Sequence, residues 1–255
     1  MRLIKNRLIR ANKIAASFFS QQLDEHPSEN DYVYGRIGEE TAKRFHVGYC
    51  PRSGLIEWLN DHGVSAEEAS AVGLIWLNED NLAVEVFRHR IMFPIVHAGI
   101  IVGFGGRALD NDAKSKYINS KTSPLYNKGE VLYGLWYSRK FIHEIGFALV
   151  IEGYFDFLKL YSEGICNCAA CCGTAFMVGH ALTLKRWTRH VCCLFDGDEA
   201  GRKMSGRVRK ISFDNDLHAV NINLPDGLDP EDYINERGGK KLRSLIGSKG
   251  FDLSD

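Results

Sequence analysis

The chain has 255 residues, of which 45% are hydrophobic and 25% are charged, so its composition is that of an ordinary globular protein. Its 32 basic and 32 acidic residues leave a formal net charge of zero, which argues against a nucleic-acid binder if only the total counts. The distribution matters more, and basic residues cluster at 2–13, 114–128 and 185–210, which suits binding to a phosphate backbone. Because domains usually contain about 100 to 150 residues, this length indicates two packed domains.

The first element in chain order is a predicted amphipathic helix. Apolar residues recur at helical spacing over residues 1–24, and the His-Pro pair at 26–27 breaks the pattern. The stretch is basic and has no acidic residue before Asp24, so an organelle transit peptide is the alternative interpretation. Phe18 and Phe19 suit contacts with a hydrophobic core, which favours a helix of the folded protein.

Short helices and then strands are predicted in the rest of the first half. Helical patterns recur at residues 39–45, 54–62 and 66–72. Residues 82–107 are rich in strand formers, and residues 97–99 (His-Ala-Gly) suit a hairpin turn. From about residue 135 strands alternate with helices, which is typical of a parallel sheet.

Two buried-strand patterns each stop at a carboxylate. Residues 147–151 and 191–195 are continuous apolar runs, followed by Glu152 and by Asp196-Gly-Asp198. The carboxyl ends of parallel strands meet at one edge of a sheet, so we expect Glu152, Asp196 and Asp198 to converge. Mg²⁺ prefers oxygen ligands, so this edge predicts a metal site suited to phosphoryl or nucleotidyl transfer. Asp-Gly-Asp by itself is a common turn, and the surrounding order of elements is what favours the metal site.

The order is strand, Glu152-Gly153, helix, strand, Gly173-Thr174, helix, strand, Asp196-Gly-Asp198 and helix. It resembles the Toprim domain, a metal-binding module shared by bacterial primases, topoisomerases and some nucleases. Motifs upstream of it resemble the RNA polymerase core of the bacterial (DnaG-type) DNA primase, and the likeness covers most of residues 10–240. These motifs occur in the family's order and are Arg90-Ile-Met-Phe-Pro-Ile95, Ile101-Val-Gly-Phe-Gly-Gly-Arg107, Lys116-Tyr-Ile-Asn-Ser120, Tyr126-Asn-Lys-Gly129 and Leu132-Tyr-Gly-Leu135.

The resemblance implies a fold and a function. Residues 1–135 would form an α+β N-terminal subdomain with a basic motif. It would pack on an α/β Toprim domain with a Rossmann-like parallel sheet, residues 136–255, which ends in a helical segment. The implied activity is that of a DNA primase catalytic core, which synthesises short RNA primers on single-stranded DNA from nucleoside triphosphates. Mg²⁺ would be the cofactor, and Mn²⁺ would be able to substitute.

The resemblance also implies which residues act. Glu152, Asp196 and Asp198 would be catalytic. The implied metal ligands are all carboxylates: Glu152, Asp156, Asp196, Asp198, Asp229 and Glu231. Glu231 stands where the family usually has Asp, which alters the reach of the last ligand. The implied nucleotide- and template-binding residues are Arg107, Lys116, Asn119, Lys128 and Arg202.

The implied partners are the single-stranded DNA template, nucleoside triphosphates and the hybrid of RNA primer and DNA. A replicative helicase is a further candidate, although the domain with which primases dock on it is not recognised in this sequence. Nor is the zinc-binding domain of full-length primases, so we expect an excised core or a naturally small phage or plasmid form. The expected location is the cytoplasm of a bacterium or of a phage-infected host, and no membrane partner is expected.

The seven cysteines indicate a reducing compartment because their number is odd. Cys166, Cys168, Cys171 and Cys172 have spacing that suggests a metal site. They also coincide with the second Toprim-like strand, where free cysteine packs as a small apolar residue. The strand is the preferred interpretation, and no zinc is expected.

Two other functions stay open from the sequence. One is a Toprim nuclease or topoisomerase-like enzyme, for which no tyrosine in a strand-cleavage context is recognised. The other is a non-catalytic Toprim module that binds DNA. The intact set of carboxylates favours the primase, because a scaffold has no use for clustered metal ligands.

Overall fold

The computed structural model describes residues 2–80, 82–251 and 253. The chain divides into two compact units, Met1–Asn127 and Lys128–Asp255. The boundary predicted between residues 135 and 136 lies a few residues further along the chain. Within the described ranges, no helix is long and apolar enough to cross a membrane.

The first unit begins with a long helix that has one buried face. Its helices are α1 (Arg2–Glu25), α2 (Pro27–Ile37), α3 (Glu39–Arg44), α4 (Leu55–Asp61) and α5 (Ala66–Ala71). On α1, Leu8, Ala15 and Phe19 are buried, whereas Lys13 is exposed. The ring of Phe19 meets that of Phe104 edge-on, with the centroids 5.3 Å apart. The prediction of a core-packed amphipathic helix is therefore confirmed.

Two small antiparallel sheets complete the first unit. Its strands are β1 (Gly48–Cys50), β2 (Ile75–Leu77), β3 (Ala83–Glu85), β4 (Arg90–His97), β5 (Ile100–Ala108) and β6 (Tyr117–Asn119). One sheet has the order β1-β4-β5-β6, and β2 pairs with β3 in the other. The predicted helices and strand-rich region of this half are present, with ends that differ by a residue or two.

The turn between β4 and β5 is a two-residue hairpin, as predicted. His97 pairs with Ile100 across it. Ala98 and Gly99 both have positive φ, 49° and 80°. Two successive positive φ values define the turn geometry that matches the twist of a hairpin, and Asn-Gly is its preferred sequence. Ala98 therefore occupies a conformation that its Cβ disfavours.

We expect Ala98→Asn to stabilise the first unit by about 0.5 to 1 kcal/mol, because asparagine tolerates the left-handed region better than alanine. Ala98 is exposed, so the change removes no packing. The control is Gly99→Ala, which should destabilise by a similar amount. The measurement is the midpoint of urea unfolding, and an unchanged or lower midpoint for Ala98→Asn would contradict the assigned turn.

The second unit is built on a parallel sheet. Its helices are α6 (Leu135–Ile145), α7 (Tyr154–Ser162), α8 (Val178–Leu184), α9 (Glu199–Phe213), α10 (Pro230–Arg237) and α11 (Gly239–Gly247). Its strands are β7 (Phe147–Ile151), β8 (Cys168–Ala170), β9 (His190–Phe195) and β10 (His218–Asn223). The strand order is β10-β9-β7-β8, and all three pairings are parallel. The predicted Toprim-type sheet is confirmed, and every residue of β7 is buried.

The cysteines of the second unit belong mostly to its core. Cys168 lies in β8 and Cys192 lies in β9, and both are fully buried. Burial raises the pKa of Cys192 to about 12, so its thiol stays protonated near neutral pH. All seven cysteines of the chain are free thiols. The placement of the cysteine-rich run at the second strand of the sheet is thus confirmed.

Candidate metal and nucleotide site

Two of the predicted carboxylates follow neighbouring parallel strands. Glu152 comes directly after β7, and Asp196 comes directly after β9. These strands pair through residues that include Val150 and Cys193. The parallel register brings both carboxylates to the same edge of the sheet.

Asp196 carries the most perturbed of the partly exposed carboxyls. Burial is the main cause that raises its pKa to about 7, and Glu152, Asp229 and Asp198 add to the rise through their negative charges. Its Oδ1 atom is buried and has no hydrogen-bond partner. A buried acceptor beside several carboxylates is suited to a cation. The cation would bind this oxygen and would offset the negative charges of the carboxylates.

Glu152 also has a raised pKa. Burial raises the pKa of Glu152, and the charge of Asp198 raises it further. Asp198 caps α9, since its Oδ1 accepts the Gly201 N–H at 2.7 Å. The cap fixes one carboxylate oxygen at the start of the helix. Because Asp198 is exposed, its carboxylate can be reached by a ligand from solvent.

A close backbone contact brings the loop of Asp229 to this edge. The Gly197 N–H donates to the Leu228 carbonyl at 2.9 Å, and the Gly227 N–H donates to the Gly197 carbonyl at 3.2 Å. A Cβ at Gly197 would collide with the carbonyl oxygen of Pro225. The glycine of Asp-Gly-Asp is therefore required for this approach. Asp229 caps α10, and its Oδ1 accepts the Asp232 N–H at 2.7 Å.

Asp156 and Glu231 lie deeper in the unit. Asp156 is 8% exposed and Glu231 is 4% exposed. The Oδ2 of Asp156 accepts the Gly153 N–H at 3.1 Å, and its Oδ1 accepts the Glu231 N–H at 3.4 Å. Burial raises the pKa of Asp156 well above its usual value, and the charges of Asp229, Asp196 and Glu231 act in the same direction. Asp156 thus joins the start of α7 to the start of α10.

The six carboxylates interact electrostatically without forming a closed cage. Across the described part of the chain, no three His, Cys, Asp or Glu side chains are grouped so that they could hold a metal ion as they stand. The observation that fits a divalent ion is the unpartnered buried oxygen of Asp196. Oxygen donors of this kind suit Mg²⁺, which usually takes one or two carboxylates and keeps several waters.

Two predicted binding residues of the first unit share one face of its four-stranded sheet. Arg107 on β5 pairs with Tyr117 on β6, and Asn119 is two residues further along β6. Residues in these positions project to the same side. Arg107 Nη1 donates to the Tyr117 hydroxyl at 2.9 Å, and its guanidinium lies 5.8 Å from the centre of the Tyr32 ring. The aromatic rings therefore orient this arginine.

Lys116 precedes β6 and is exposed, and its backbone is held by Arg90. The Arg90 guanidinium donates to the carbonyls of Ser115, at 3.1 Å, and Lys116, at 3.3 Å. It also donates to the Gly106 carbonyl on β5 at 3.2 Å. Arg90 begins the first of the motifs that resemble the primase core, but the sequence alone gave no reason to assign this residue a role.

Two predicted basic residues lie in the second unit. Arg202 is on α9, one turn after the Asp198 cap, and its Nη1 is 3.4 Å from an oxygen of Asp226. Lys128 lies before α6, and burial lowers its pKa. His180 of α8 contacts the Lys128 carbonyl at 2.8 Å. No sequence pattern pointed to His180, because a lone histidine on an apolar helix has no spacing that marks it.

Two family profiles match the chain. The one described as "DNA primase catalytic core, N-terminal domain" matches residues 18–139, and the one described as "Toprim-like" matches residues 149–234. Among curated relatives, the DNA primase of Aquifex aeolicus is 36% identical over 236 residues, which are 91% of this chain and 47% of that protein. The chain thus spans less than half the length of this relative.

Solved structures agree with the sequence matches. The zinc-binding and RNA polymerase domains of the Aquifex aeolicus primase superpose with a TM-score of 0.91 at 34% identity, covering 96% of this chain and 61% of that one. The RNA polymerase domain of Mycobacterium tuberculosis DnaG gives 0.86 at 32%, covering 95% and 83%. A DnaG primase catalytic domain bound to single-stranded DNA gives 0.87 at 29%, covering 97% and 83%.

The parallel sheet, with acidic residues at its carboxyl edge, is a Toprim-type fold. In this chain the Toprim unit follows a unit that matches the N-terminal part of a primase core. The chain belongs to the bacterial DnaG-type DNA primase family and corresponds to its catalytic core.

We expect the metal-free protein to lose stability as the pH rises from about 4 to about 7. The pKa of Asp196 is about 7 in the folded state against 3.8 ordinarily, so in this window the folded state binds more protons than the unfolded state. The free energy of unfolding therefore falls as the pH rises. A neutral side chain at position 196 should remove this part of the fall. Urea unfolding in a chelator should show a smaller fall for Asp196→Asn than for the wild type.

The matched control is Asp214→Asn, which neutralises an exposed acid at the end of α9. It should follow the wild-type dependence on pH. Identical dependence for Asp196→Asn and the wild type would contradict the assigned cause.

Proposed function

We propose that this chain is a primase catalytic core that synthesises short RNA primers on single-stranded DNA. The observation that carries the proposal is the group of carboxylates at the carboxyl edge of the parallel sheet, where Asp196 has a buried oxygen without a partner. Membership of the DnaG-type family supports the choice of nucleotidyl transfer. The relative bound to single-stranded DNA supports the choice of template.

The metal site of this proposal is formed by Glu152, Asp196, Asp198 and Asp229, with Mg²⁺ as the ion and Mn²⁺ able to substitute. When bound, one such ion would lower the pKa of the attacking 3′-hydroxyl and a second would stabilise the departing pyrophosphate. The buried carboxylates of the acidic set would have a structural role. Asp156 ties the starts of α7 and α10 together, and direct metal ligation by Asp156 and Glu231 stays a prediction.

The basic residues would bind phosphates in this scheme. Lys116 and Lys128 would act as fixed cations that neutralise the triphosphate and the template backbone. Arg107 presents a planar guanidinium oriented by Tyr117, which suits a phosphate contact through two N–H groups. Asn119 shares that face of the sheet and offers an amide for a polar contact. Arg202 lies one turn after the Asp198 cap and would bind the phosphates of the departing pyrophosphate.

The partners in this proposal are nucleoside triphosphates, the DNA template and the hybrid of RNA and DNA that forms as the primer grows. A replicative helicase is a further candidate partner, as the resemblance to DnaG-type primases implies. The proposed location is the bacterial cytoplasm, where free thiols such as those of β8 and β9 stay reduced.

The test is incorporation of labelled ribonucleotides on single-stranded DNA with Mg²⁺ or Mn²⁺. We expect short RNA products that require the metal, and a loss of about 100-fold or more for Asp196→Ala, as for other groups that hold charge at a reacting centre. Asp214→Ala, an exposed acid in the same unit, is the control and should retain activity.

Each other outcome has a definite meaning. Cleavage of the DNA without incorporation would favour the Toprim nuclease. Binding of DNA without either reaction would favour a non-catalytic module. Products that persist in Asp196→Ala would contradict the assigned metal site.

A further inference from the structure

His180 is a fully buried histidine that the proposed chemistry does not use. Its exposure is 0%, and burial lowers the pKa of its imidazole. Its Nδ1 accepts the Met177 N–H at 3.2 Å, and its Nε2 lies 2.8 Å from the Lys128 carbonyl. Since Nδ1 accepts a hydrogen bond, the proton must be on Nε2, which donates to the Lys128 carbonyl. Both ring nitrogens are thus satisfied by main-chain groups.

The same helix holds the two residues that follow Lys128. The Thr183 hydroxyl of α8 lies 3.1 Å from the Glu130 carbonyl oxygen and 2.8 Å from the Gly179 carbonyl oxygen of its own helix, so its single proton is shared between the two acceptors. A Cβ at Gly179 would collide with the Gly129 carbonyl oxygen, so the backbone of the segment passes directly against the helix. Gly179, His180 and Thr183 are spaced so that they lie on one face of a helix. This face contacts three consecutive residues, Lys128, Gly129 and Glu130.

The Nδ1 bond alone would explain a histidine that only caps the start of α8. It does not explain the bond from Nε2, which reaches a residue 52 positions away in sequence. That bond fixes the main chain from which the Lys128 side chain projects. A fixed main chain reduces the conformational freedom that a long side chain loses when it binds a ligand.

We infer that His180 is a positioning residue, which acts through its Nε2–H bond to hold Lys128 in place for phosphate binding. The inference rests on the proposed function for the role of Lys128. Gly179 and Thr183 support the same segment from the same helix face. The ligand class is the phosphate groups of a nucleoside triphosphate or of the template.

A pair of substitutions separates the two hydrogen bonds of His180. In His180→Gln the longer amide can still donate to the Lys128 carbonyl. In His180→Asn the shorter amide can still accept the Met177 N–H, but it does not reach Lys128. Both replace a buried ring by a smaller amide, so a purely structural role predicts similar losses of thermal stability and similar kinetics. His143→Asn, at an exposed histidine of α6, is the control for the substitution itself.

We expect His180→Asn to raise the KM for nucleoside triphosphates, or the dissociation constant for a single-stranded oligonucleotide, by about tenfold, the effect of having to order about one more residue of main chain on binding. The turnover number should change much less, and His180→Gln should stay within about twofold of the wild type. The readouts are initial rates of ribonucleotide incorporation and fluorescence titrations with a labelled nucleoside triphosphate and a labelled oligonucleotide. Equal effects of Asn and Gln would overturn the inference.

A double-mutant cycle with Lys128→Ala tests whether the effect passes through Lys128. In that background His180→Asn should add less than about twofold, because no lysine side chain is left to position. A full tenfold effect in the Lys128→Ala background would also overturn the inference. So would unchanged binding and KM in Lys128→Ala alone.

The binding titrations keep this inference separate from the proposed function. If the wild type binds nucleotide or DNA but incorporates nothing, primer synthesis is contradicted, and the same cycle on the two dissociation constants still decides the role of His180. If incorporation occurs and the cycle shows no coupling, primer synthesis stands and the positioning role is wrong.

Discussion

Asp196 carries a carboxylate that burial and three neighbouring acids all push toward its neutral form. Its pKa is raised to about 7, and one of its oxygens is buried without a hydrogen bond. Such an arrangement costs stability in the folded protein unless a cation supplies the missing interaction. The neighbouring acids that add to this cost follow β7 and β9 and precede α10, so they lie together at the carboxyl edge of the sheet.

The local backbone leaves little freedom at that edge. Asp198 and Asp229 each cap a helix through one oxygen, and the bonds of Gly197 fix the two acidic loops against each other. Asp156 joins the start of α7 to the start of α10 through two hydrogen bonds. The acidic residues are therefore brought together by the strand ends and by the main-chain bonds of Gly197, and three of their carboxylates are further held by bonds to backbone N–H groups. Such main-chain supports would help a metal ion to assemble its ligands, since no three acidic side chains of the described residues are grouped for a metal as they stand.

Much of this could be predicted from the sequence. Continuous apolar runs followed by Glu152 and Asp196 indicated buried parallel strands, since strands covered on both faces have that pattern and the runs are too short for helices. The hairpin was indicated by Gly99 within a strand-rich region, although Ala98 is not a residue that this turn prefers. The supporting contacts could not be predicted, because they join groups distant in sequence. Arg90 and His180 both bind backbone carbonyls, and such bonds impose no spacing on the chain.

The most direct test of the account is proton release when Mg²⁺ binds near pH 7. Calorimetric titration in two buffers with different enthalpies of ionisation measures the number of protons released. If the raised pKa of Asp196 reflects a site that waits for a cation, binding should release a substantial fraction of a proton, and Asp196→Asn should abolish most of that release. Mg²⁺ binding with no proton release in the wild type, or equal release in Asp196→Asn, would contradict the account.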